Sequence, residues 1–135
     1  MTTVSGLRTQ LAARMATISG LRTSATVPDS PNPPVAIIMP TGIEYDTTFG
    51  RGLDTYAFTI LVIVGRVDER TSQNALDAYC NPTGTSSVKA AVNGDRTLAG
   101  TAADCRVESM RNYQSLSIAE VTYLAAEFVV TVIAT

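Results

Sequence analysis

Histidine is absent from the sequence, lysine occurs once, and cysteine occurs twice. Without histidine the commonest general base and the commonest transition-metal ligand are missing together, which excludes Ser-His-Asp and Cys-His catalytic arrangements. No CxxC, GxGxxG or GxxxxGK[ST] pattern occurs, so redox, dinucleotide and P-loop chemistry lack their usual signatures. The two cysteines, Cys80 and Cys105, lie far apart and fit no metal-ligand spacing; buried thiols are the expectation rather than a disulfide. Apolar runs all fall short of the roughly 20 residues that span a bilayer. Arg8 and Arg14 interrupt the stretch that a signal peptide would need to be apolar, so synthesis in the cytoplasm is expected. Charge is scarce as well: ten basic residues against twelve acidic give a net charge of −2, which argues against a broad nucleic-acid-binding face.

What the chain does contain is β-forming sequence. Thr55–Arg66, TYAFTILVIVGR, is its longest such run, carrying Tyr, Phe, Ile and Val with no Pro and with Gly only near its end. Tyr56, Phe58, Ile60, Val62 and Val64 fall on one face and Ala57, Leu61 and Ile63 on the other. A strand that is apolar on both faces belongs in the middle of a sheet. At about 3.3 Å per residue it spans roughly 40 Å, twice the usual length.

The remaining elements follow in order. Val4, Leu7, Leu11, Met15 and Ile18 recur at spacings of three and four, which predicts an amphipathic helix over residues 3–17 ending near Gly20. Residues 21–27 have short-strand character. Pro28, Pro31, Pro33 and Pro34 then impose an extended link. Val35–Met39 reads as a strand closed by Pro40, with Thr41-Gly42 a turn and residues 43–48 a further strand. Gly50-Arg51-Gly52 reads as a hairpin turn into the central strand. Beyond Arg66 the period changes to that of a helix carrying Ala75, Leu76, Tyr79 and Cys80, capped by Asp68 or Thr71 and stopped at Asn81-Pro82. Ser86 or Ser87 caps a second short helix, Val88–Val92, that ends at Asn93-Gly94. Residues 105–113 and 120–133 read as closing strands joined by a loop over 114–119. This order predicts one α+β domain over residues 1–135, a mainly antiparallel sheet with an N-terminal amphipathic helix and two short helices on one face.

Candidate chemistry is sparse. Glu44 and Asp46 lie two apart, on one face of a strand, where a carboxylate pair would bind a cation or serve as acid and base. Exposed carboxylates on a solvated outer face explain them more simply. Gly94–Gly100, GDRTLAG, looks like a phosphate loop but lacks its lysine, and reads as an ordinary connection. Asp68, Glu69 and Asp104 stand at element ends, where caps and solvent account for them.

Two stretches carry a likeness. Gly84–Gly100, GTSSVKAAVNGDRTLAG, and Arg51-Gly52-Leu53-Asp54 leading into the long strand resemble small tail terminator proteins of long-tailed, siphovirus-type actinobacterial phages. The likeness runs along nearly the whole chain in order. It implies a non-enzymatic structural protein of the virion with no cofactor. Such a protein forms a ring, typically a hexamer, on the head-proximal end of the tail tube, stops tube growth and meets the head connector. DNA passes its lumen without specific binding, which a mildly acidic chain suits. A long two-sided strand paired with a long C-terminal strand is expected to leave apolar, unpaired edges for ring neighbours to cover. Arg51 and Asp54, at a charged hairpin tip, are the expected subunit or tube contacts.

Overall fold

The computed structural model describes residues 3–18, 21–24, 34–45, 54–66, 70–98, 100, 102–118 and 121–134. Helix α1 spans Val4–Met15. It starts where the Thr3 hydroxyl accepts the Gly6 N–H at 3.0 Å, and its Leu7, Leu11 and Met15 are completely buried along one stripe. The strands are β1 (Arg22–Ser24), β2 (Val35–Glu44), β3 (Asp54–Arg66), β4 (Asp104–Ile118) and β5 (Val121–Ala134). They form one sheet in the order β1-β2-β3-β5-β4, antiparallel throughout except for the short parallel β1–β2 pair. The fold is therefore α+β, with β3 in the third of five positions as its two apolar faces predict.

Helices α2 (Arg70–Cys80) and α3 (Val88–Asn93) lie on the same side of the sheet as α1. Ser87 caps α3, accepting the Ala90 N–H at 3.1 Å while donating to the Asn81 carbonyl, so one buried hydroxyl ties the start of α3 to the end of α2. Arg14 reaches across from α1, its Nε donating to the Ala91 carbonyl at 2.9 Å, which places a cation at the carbonyl end of α3. Against these helices pack Tyr56, Phe58, Ile60, Val62 and Val64 of β3, the face that alternation assigned, and Leu124, Ala126, Phe128, Val130 and Val132 of β5.

Three expectations change. Pro40 does not close a strand: β2 runs on to Glu44 through an irregularity between Pro40 and Gly42. Pro40 lies beyond Val35–Ile37, the only stretch that β1 pairs, so its missing N–H leaves no ladder bond unmade on that side. Residues 114–118 are not loop but strand, paired to β5 as far as Ile118 with Val121, which leaves two residues between the strands. Their serines are compatible with an edge strand, which has water along one side. Thr71 lies inside the first turn of α2 rather than at its cap, and Asp68 lies outside the described residues. As expected, β3 and β5 both lie inside the sheet; among the described residues the unpaired edges belong to β4 and to the Ile38–Glu44 half of β2.

Candidate functional site

The two residues expected at a contact fare differently. Arg51 and the Gly50-Arg51-Gly52 turn lie outside the described residues. Asp54 opens β3, half-buried and paired with Ala134 at the end of the sheet. Tyr56, two residues on, has its phenol pKa pushed up, first by burial and then by the negative charge of Asp54 and by Tyr45. Asp54, Tyr56 and Tyr45 thus gather where β2 ends and β3 begins. Tyr45 is 72% exposed, the most exposed large hydrophobic side chain among the described residues.

Of the carboxylate pair, Glu44 is exposed at the end of β2 and Asp46 lies outside the described residues. Among the described residues no three His, Cys, Asp or Glu side chains converge as a metal site would require. The GDRTLAG segment is a series of turns pinned to the sheet by a bidentate ion pair: Arg96 Nε and Nη2 donate to the two Asp104 oxygens at 2.8 and 2.7 Å. Leu98, completely buried with φ 49°, plugs it into the core. Asp104 thereby acquires a structural partner as well as its strand-end position. Cys80 and Cys105 are both free thiols. Burial, reinforced by Asp77 for Cys80 and chiefly by Asp104 for Cys105, pushes each up to about 11, so neither is a ready nucleophile.

Two surfaces stand out, one foreshadowed by the second apolar face of Thr55–Arg66 and one that sequence reasoning missed. The first is the sheet face opposite the helices. It carries its own small apolar cluster, Val35, Ile37, Ile63 and Ala125, flanked by half-buried Met39, Leu61 and Tyr123. All the buried apolar side chains of the described helices belong to the other cluster. Thr59 lies on this second face, 1% exposed, with an Oγ1 that finds no hydrogen-bond partner.

The second is the middle of β4. All eight residues from Glu108 to Ser115 are exposed, and Met110 and Tyr113 are the other two exposed large hydrophobic side chains among the described residues. Irregularities between Val107 and Ser109 and between Arg111 and Gln114 bound this stretch, and Asn112 takes a left-handed φ of 55°. Asn112 donates to Glu127 at 2.6 Å and the Tyr113 hydroxyl donates to Asp77 of α2 at 2.8 Å. Concavities flank β4 on both faces. One, about 180 Å³, opens on the helix side between Cys80, Pro82 and Lys89 and the strand residues Val107, Met110 and Phe128. Another, about 120 Å³, lies on the second face between Leu61, Asn112, Gln114 and Glu127. Exposed apolar residues beside open concavities are features of a contact surface.

Comparison of the chain with protein-family models and with curated proteins finds no match.

Proposed function

We propose that this chain is a structural protein of a phage virion, a tail terminator that assembles as a ring, typically a hexamer, on the head-proximal end of the tail tube. There it ends tube growth and meets the head connector. The likeness of the GTSSVKAAVNGDRTLAG and RGLD segments supports the family reading, and one structural observation supports the assembly. Beyond the core between helices and sheet, large apolar side chains stay exposed at Tyr45 after β2 and at Met110 and Tyr113 on the long edge strand β4, where contacts with other subunits would cover them. A head-to-tail contact that closes on itself makes a ring of fixed size rather than a filament, which is the property a terminator requires.

Light scattering of the purified protein across a concentration range, with and without isolated tail tubes, tests this reading. A closed ring, or a monomer that becomes a ring on tube ends, is the expected result. Open-ended tubes would make the chain a tube subunit instead, and a monomer indifferent to tubes would overturn the assignment. For the contact itself, charge reversal by Arg51→Glu and Asp54→Lys is expected to disturb ring formation or tail length; wild-type rings and tails from both variants would remove these residues from the interface.

A further inference from the structure

Tyr45 and the concavity beside Met110 sit on opposite edges of the sheet. Tyr45 follows β2 on one side, β4 forms the other, and β3 and β5 lie between them. A protruding aromatic on one edge and an apolar-lined hollow on the other cannot meet within one subunit, but they can meet between two. The hollow, at about 180 Å³, is comparable with the roughly 150 Å³ that accommodates a benzene ring. Its lining suits a phenol: Val107, Met110 and Phe128 offer apolar walls, and a thioether against an aromatic ring is a favourable contact. Lys89 stands at the same hollow as a cation, while Glu108 there is paired with Arg106 at 3.4 Å.

Charge favours the same pairing. Lys89 is the chain's one lysine and makes no ion pair with any described residue. Exposed Glu44 stands next to Tyr45 on the opposite edge. A neighbour that seats Tyr45 between α2–α3 and β4 therefore brings the Glu44 carboxylate toward an ammonium that no described residue pairs. The β4 edge, with two irregularities, is a poor template for continuous strand pairing, so side-chain docking rather than sheet extension suits this contact.

We propose that Tyr45 of one copy docks in the Cys80–Lys89–Met110–Phe128 hollow of the next, a heterologous contact between copies of this chain with Glu44 facing Lys89. The proposal rests on the ring reading above and gives it a specific joint.

The test replaces Tyr45 by the photoreactive p-benzoylphenylalanine, an aromatic that inserts into nearby C–H bonds, and mixes the variant with isotopically labelled wild-type protein. After irradiation, the cross-link is expected on the labelled Val107–Arg111 tryptic peptide, which contains Met110. Tyr45→Ala, at an exposed position that should leave folding intact, is expected to weaken self-association by about tenfold or more, as loss of an aromatic anchor does. Lys89→Glu should weaken it as well, and Glu44→Lys in the same chain should restore it. Cross-links confined to peptides that carry none of the hollow's lining residues, or unchanged association of Tyr45→Ala while the wild type still forms rings, would overturn the joint and leave the ring reading standing. A wild type that stays monomeric with and without tubes, and gives no intermolecular cross-link, would overturn both.

Discussion

Strands β3 and β4 have nearly the same length, 13 and 15 residues, yet they behave as different materials. β3 pairs with β2 on one side and β5 on the other, and Phe58, Ile60 and Val62 on its helix side are completely buried. β4 pairs with β5 alone, has two irregularities, and exposes eight residues in succession. Strand length therefore says little about stability here. Position in the sheet decides whether a residue contributes to the core or is left for contact with something else.

The sharpest way to break this contrast is to truncate one large side chain on each strand. Phe58→Ala is expected to cost about 3–5 kcal/mol, the loss of a buried aromatic plus the cavity it leaves. Met110→Ala, at a side chain 39% exposed, is expected to cost less than about 1 kcal/mol in the free subunit. Urea unfolding of both variants measures the difference; equal costs would mean that β4 is as much part of the core as β3.

A smaller effect separates the two strands by backbone. Asn112 on β4 holds a left-handed conformation and donates to Glu127, so Asn112→Val should destabilise by about 1–2 kcal/mol through the β-branched side chain at positive φ. On β3, Thr59 buries a hydroxyl without a partner, and Thr59→Val should raise stability by about 1 kcal/mol. Loss of stability in the Thr59 variant would show that its hydroxyl is satisfied in solution.

The mildest effect is a pH dependence that falls on the helix side and on β4. The Cys80 and Cys105 thiols are pushed up from 9.0 to about 11, and the Tyr113 phenol from 10.0 to about 12, by burial first and by its bond to Asp77. Folded values above the unfolded ones mean that the stabilisation is complete below pH 9 and is lost as pH rises through 9 to 12, where unfolding releases protons. Thermal unfolding should therefore weaken progressively over that alkaline range. Cys105→Ala should remove part of the slope between pH 9 and 11. An unchanged slope would place the alkaline loss elsewhere.

Much of this architecture was legible in the residues themselves. Two-sided apolarity put β3 in the sheet centre, threefold and fourfold spacing drew α1, and a serine three residues ahead of Ala90 announced α3. These signals are local, because period and capping act within a few residues. The contact surfaces were less legible. Asp54 was singled out from its place in RGLD, whereas Tyr45, Met110 and the hollow beside Lys89 carried no pattern that marked them. Serines after Asn112 read as loop because nothing in their spacing records that β5 waits alongside to pair with them.

The sequence by itself determined the class of the fold, the central strand, the stripe of each helix and the absence of histidine-based chemistry. Tertiary structure alone decided that β4 continues to Ile118 and forms one edge, that Pro40 is carried within β2, and that Tyr45 and the Met110 hollow end on opposite sides. The physical reason is range: helix stripes and strand alternation are written within a few neighbouring residues, whereas edges, hollows and the residues left uncovered depend on which distant segments pair, a choice made by the whole sheet at once.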